Sequence, residues 1–222
     1  MGPLFRGFAY ISRKPKLWGY AWGPVIATVL LYVGLLVLLQ VSLKPIVDRI
    51  APDSGVLSSL PVVGSIALFL LWLVAANFVV IAISSLFSGL LWGRLSHSVE
   101  KDMFGDAPDV RVGCMPQVKD FFWRLLQAVL AVALVVLFGW LGIIAGAIVG
   151  GLLGVIEFSA PAYARRGVLY PAQLRILKLP AALGFGLGTG LLCLLPFVFV
   201  LAMPALVVGG TIMCREGEKA NP

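Results

Sequence analysis

The chain has 222 residues, of which 60% are hydrophobic and only 12% charged, and its mean hydropathy is +1.02. A soluble domain carries about 25% charged residues, so this composition excludes an ordinary soluble enzyme or binding domain and points to the membrane-embedded class. The net charge of +7, from 17 basic and 10 acidic residues, is not a nucleic-acid signal. The basic residues flank apolar runs, where they anchor helix ends and meet anionic headgroups.

In chain order, Met1–Lys16 has no apolar core followed by a small-residue cleavage site, so insertion by the chain's own spans is expected. Pro3 suits a first helical turn, and Leu4, Phe5, Phe8 and Ile11 form a short apolar stripe, which predicts an interfacial helix over 3–14 ended by Pro15. Four runs then lack any Asp, Glu, Lys or Arg: Leu17–Leu43, Ser54–Gly93, Leu125–Ile156 and Leu179–Cys214. A spanning helix needs about 20 apolar residues. The first two runs predict one transmembrane helix each, at 18–39 and 62–90, with Trp18, Tyr20 and Trp22 as an aromatic belt and a polar loop from Lys44 to Pro61 between them.

The last two runs are too long for one span and too short for two comfortable ones. Both are broken near the middle, at Gly139–Gly142 and at Pro196, and the second arm of the last run carries Pro204. They predict helical hairpins at 120–157 and 182–214, joined by cytoplasmic connectors at 93–119 and 158–181. Pro171 is expected to open a short amphipathic helix in the second connector. Loop charge supports the hairpins, because they put every Lys and Arg except Lys44 and Arg49 on one side, as the positive-inside bias asks. The chain thus reads as a single all-α integral membrane domain over 1–222. It combines two long transmembrane helices with two partially penetrating or re-entrant hairpins and an N-terminal interfacial helix.

Few residues offer chemistry. Gly142, Gly146, Gly150 and Gly154 recur every four residues, a smooth ridge for close backbone approach, and Gly184 and Gly188, with the offset pair Gly186 and Gly190, make a similar surface on the last run. Helix packing is the simpler reading of these surfaces; a pore lining is the functional one. Helix ends exposed at the breaks, Pro196 among them, could hold an anion through free N–H groups. Asn77, Ser84, Ser85, Ser88 and Thr189 are the polar groups within the runs, suited to bonding across helices or to donating to an anion. The pair Arg165-Arg166 either obeys the positive-inside rule or captures an anion at the cytoplasmic mouth. Glu157 is expected to cap an arm at the interface, and His97 to be solvated. Cys114, Cys193 and Cys214 show no metal-ligand spacing and no disulfide framework. No nucleophile–base set, metal cluster or phosphate loop is present in the sequence, so no enzyme, cofactor or metal is expected.

Several segments are similar to the CysZ-type sulfate permease and etoposide-induced-protein family. They are Ala164-Arg165-Arg166-Gly167, Leu183-Gly184-Phe185-Gly186, Leu195-Pro196, Met203-Pro204-Ala205 and Gly209-Gly210-Thr211, together with Ser85-Leu86-Phe87-Ser88-Gly89-Leu90-Leu91 followed by Val99-Glu100, and the entry from Arg6-Gly7-Phe8 through Pro15-Lys16-Leu17 to Pro24. The resemblance implies two long transmembrane helices, two partially penetrating hairpins, oligomerisation and, in the bacterial permeases, sulfate uptake for cysteine synthesis. Two departures stand out. Leu86 replaces the family's proline, and Lys16-Leu17-Trp18-Gly19 stands where the sulfate-associated Gly-Leu-Arg-Arg stretch is expected. The reading is therefore an inner-membrane anion permease for sulfate or a similar inorganic anion, forming a homo-oligomer in the lipid bilayer with both termini cytoplasmic. The alternative is a non-transporting scaffold or biogenesis factor of the same fold.

Overall fold

The computed structural model describes residues 2–50, 92–110, 112–138 and 142–220. The predicted span at 62–90, with Asn77, Ser84, Ser85 and Ser88, and the break at Gly139–Leu141 lie outside the described residues. Every regular element described is helical: α1 (Pro3–Arg13), α2 (Trp18–Ile50), α3 (92–104), α4 (Cys114–Phe138), α5 (Gly142–Arg165), α6 (Pro180–Cys193) and α7 (Pro196–Ala220), with 3-10 turns at Pro15–Leu17 and Ala172–Lys178.

Prolines start these helices more often than they stop them. Pro3 and Pro180 sit in first turns, where a missing N–H costs nothing. Pro196 explains the break between α6 and α7. It has no N–H to offer the Leu192 carbonyl, which accepts instead from Leu195 N at 3.0 Å, and Leu195 O then accepts from Phe199 N at 2.8 Å as the next helix begins. Two expected interruptions fail: Pro204 lies inside an unbroken α7, and α2 continues through Lys44 and Pro45 to Ile50, where a polar loop was expected; Pro161 likewise lies inside an unbroken α5. Apolar helices can absorb a proline when neighbouring elements restrain them, so composition alone sets these ends poorly. The helix predicted to begin at Asp120 begins at Cys114, and α5 runs past Glu157 to Arg165.

The core forms around α7, whose residues 202–214 are all buried. In an apolar 18-residue window of Phe197–Lys219, 83% of the residues are buried inside the protein, against 33% in that of Pro15–Leu35, which joins the first 3-10 turn to α2, so α7 is an axis and α2 a peripheral helix. Helices α1, α5 and α6 pack around that axis. The backbones approach so closely that a Cβ on Gly7 of α1 would collide with Ala205 O, and one on Gly210 would collide with Phe158 O of α5. Helix α1 is thus docked by its Pro3, Gly7 and Ile11 face, while Phe5 stays 67% exposed.

Several helix ends meet at one pole. Arg6 pairs with Glu216, Tyr10 and Lys14 donate to Asp102, and Arg215 pairs with Asp106. Leu179, just before α6, packs beside Gly217 near the end of α7. The start of α6 and the end of α7 therefore share this pole, and their connecting turn at Leu194–Leu195 lies at the far end.

Candidate functional site

The last turn of α5 carries the arginine pair, and the local sequence dictates how it is presented. Gly167 adopts φ +71°, a left-handed conformation that favours glycine, and so ends the helix. Its N–H donates to Ala164 O at 3.0 Å and Val168 N–H donates to Tyr163 O at 3.0 Å, the paired bonds of a glycine-terminated helix. Positive charge is favoured at this helix end, where the carbonyls point out.

Both guanidiniums then meet a carboxylate from α3. Glu100 has no exposed surface; its Oε1 accepts from Arg166 Nη1 at 2.8 Å, and its Oε2 lies 2.9 Å from Arg165 Nη2. Arg165 also donates from Nη2 to Ser96 Oγ at 3.0 Å and sits with Nη1 3.2 Å from His97 Nδ1. Ser96 shares a 2.9 Å hydrogen bond with Thr211 of α7. Glu218 lies 2.6 Å from Arg166 Nε, and Arg215 pairs with Asp106. The Arg215 hydrogen bond holds the Asp106 carboxyl below its ordinary range; those from Lys14 and Tyr10 do the same for Asp102. Three arginines are thereby matched by Glu100, Glu218 and Asp106. Arg165 and Arg166, read from the sequence either as positive-inside residues or as an anion-capturing pair, are half-buried and paired with carboxylates in this structure. His97, expected to be solvated, is half-buried against Arg165.

A second polar cluster joins α4 to the connector after α5. Arg124, 3% exposed, donates from Nε to Asp120 Oδ2 at 2.8 Å and from Nη2 to Gln173 Oε1 at 2.6 Å. Asp120 Oδ1 accepts from Tyr170 N at 2.6 Å. Glu157 belongs to the interior rather than to a helix end. It is 3% exposed within α5, and neither carboxylate oxygen has a hydrogen-bond partner among the described residues. Arg124 and Asp120 are the charged groups that act on it.

The other sequence-predicted residues fall apart spatially. Thr189 donates to Phe185 O at 2.9 Å within its own helix and fills space above Gly154, so its hydroxyl is committed to α6 rather than offered to an anion. Pro196 begins α7. The tight α5–α6 contact uses Gly151, Gly154 and Ala147 against Gly186, Thr189 and Gly190; a Cβ on Gly151 would stand 2.5 Å from Gly186 O. Gly150 is buried beside this contact. Side-chain surroundings at Gly142 and Gly146 lie outside the described residues. Gly188 instead faces Leu4 of α1, and Gly184 has nothing within 4 Å, so neither packs on α5 as the four-residue spacing suggested. Glu100, Ser96 and Arg124 were missed by sequence reasoning. Glu100 had a signal in the family-like Val99-Glu100 pair, but Ser96 and Arg124 showed only charge or polarity next to an apolar run, which looks the same for a solvated residue.

Among the described residues, three helical stretches are long and apolar enough to cross a membrane, or four if the pair Ala172–Lys178 and Pro180–Cys193, bent by 93°, counts as one span. With the apolar composition, this defines a helical membrane protein. The chain belongs to the sulfate transporter CysZ/etoposide-induced protein 2.4 family, whose model matches residues 3–204. No curated protein matches it.

Proposed function

We propose that this protein is a permease for sulfate or a similar inorganic oxyanion in a bacterial inner membrane, acting as a homo-oligomer, with both termini cytoplasmic and no enzymatic activity. The observation that carries the reading is the family match over residues 3–204, in a chain whose helices suit a bilayer. The exposed apolar faces of α2, α4 and α6 support it, since Leu183, Leu187 and Leu191 lie 62–75% exposed on one face of α6, available to lipid or to a second copy. Purified protein in sealed liposomes is expected to take up radiolabelled sulfate above empty vesicles. No flux across sulfate, thiosulfate, phosphate and chloride would refute a permease.

One observation favours the scaffold reading: the two arginines that would draw an anion in are matched by carboxylates. That reading expects a stable protein partner to co-purify in detergent, with no ion flux.

A further inference from the structure

The Arg165–Arg166 pair presents more donors than its carboxylate can use. Glu100 splits its two oxygens between the guanidiniums, 2.8 Å from Arg166 Nη1 and 2.9 Å from Arg165 Nη2, much as one edge of a tetrahedral oxyanion would sit. Ser96 Oγ accepts from Arg165 Nη2 at 3.0 Å and, since the Thr211 hydroxyl donates to Val207 O, gives its own hydrogen to Thr211; it positions Arg165 without facing the anion. Arg165 Nε and Arg166 Nη2 remain buried with no hydrogen-bond partner among the described residues. A carboxylate has two oxygens and one charge; a sulfate-like anion has four oxygens and two charges, and planar guanidiniums bind such groups well.

We propose that Arg165 and Arg166 form an oxyanion site which Glu100 fills as a tethered surrogate, and that a divalent tetrahedral oxyanion binds there by displacing the Glu100 carboxylate. The role in transport rests on the permease reading; the binding does not. Exchange keeps the arginines compensated in both states and places its cost on Glu100, whose carboxylate loses both guanidiniums. Removing one partner of a buried ion pair strands an uncompensated charge, which is strongly unfavourable. Glu218 and Asp106 stay with Arg166 and Arg215 throughout, so only one carboxylate has to move.

The test is sulfate binding to the purified full-length protein in detergent, against chloride at matched ionic strength. Glu100→Gln removes the surrogate's charge and is expected to bind sulfate about tenfold more tightly than wild type, equivalent to about 1.4 kcal/mol. In Glu100→Gln with Arg166→Gln the gain should vanish. Glu100→Asp keeps the charge on a shorter arm that reaches the arginines less well, so it should bind sulfate more tightly than wild type, and it decides the matter if Glu100→Gln does not fold. Equal sulfate affinity in wild type and the Glu100 variants, or a gain that survives loss of Arg166, would overturn the proposal. Liposome flux separates the two ideas. Tighter binding by Glu100→Gln without flux in any variant keeps the site and removes the permease; flux in wild type without tighter binding does the reverse.

Discussion

Arg124 and Glu157 show what single polar residues cost inside this fold. Arg124 holds Asp120 and Gln173 in a nearly dry setting, so Arg124→Ala would strand a carboxylate and an amide together. A loss of about 3 kcal/mol is expected in denaturant or thermal unfolding, the scale for breaking a buried pair; a loss below about 1 kcal/mol would mean that the cluster holds little. Glu157 is the opposite case. Arg124 already has Asp120 as a partner, leaving the Glu157 carboxyl group buried without hydrogen bonds among the described residues. Glu157→Leu, which removes the unpartnered polar group, should therefore raise the unfolding temperature, by the equivalent of about 1 kcal/mol or more; a lower temperature would assign Glu157 a stabilising contact instead. Its position was misread from sequence for a simple reason. Glu157 is the first charge after a long apolar run and Pro161 follows it, which imitates a helix end, yet the helix continues through uncharged residues to Arg165.

At the scale of elements, α5 and α6 are held together by the absence of side chains. A Cβ on Gly190 would collide with Ala147 O, whereas one on Gly184 would meet nothing within 4 Å. Gly190→Ala is expected to destabilise by about 1–3 kcal/mol through overpacking. Gly184→Ala should be neutral or stabilise by up to about 1 kcal/mol, through helix propensity alone. Unfolding of the two variants side by side tests the contact, and equal effects would refute it. A strong loss at Gly184 would identify a second copy of the chain against that face. The glycine periodicity was legible in the sequence, but its partners were not. Residues 150 and 151 lie about 100° apart on a helix, and with apolar residues all around α5 nothing in the sequence says which neighbour takes which side.

For the whole molecule, the contacts among α1, α3, α5 and α7 fix the relative placement of distant segments. Arg6 with Glu216, Lys14 with Asp102, and Arg166 with both Glu100 and Glu218 bring the start of the chain, the end of α3 and the ends of α5 and α7 to one pole. In a Cys114→Ser background, cysteines placed at the exposed positions Arg13 and Lys219 should be labelled by an impermeant maleimide from the same side of sealed vesicles. Labelling from opposite sides would refute this arrangement. At this pole Arg165, Arg166 and Arg215 are paired with Glu100, Glu218 and Asp106 rather than left without a counter-charge.

Composition and the four charge-free runs by themselves determined the membrane class, the helical character and the approximate positions of the long apolar helices described, though not α3, which lies where a connector was expected, because a bilayer imposes length and polarity limits that a chain cannot evade. The break at Pro196 was also legible, since a missing N–H is a property of the residue itself. Only the tertiary structure decided that Pro161 and Pro204 leave their helices intact, that α7 is the buried axis, and that Gly151, Gly154, Gly186 and Gly190 make the close contact. The same holds for the candidate site. Arg165 and Arg166 are conspicuous in the sequence, but Glu100 lies 65 positions before Arg165, and only folding brings its carboxylate between them. Which charges cancel depends on distances between helices, and those are set by packing rather than by order along the chain.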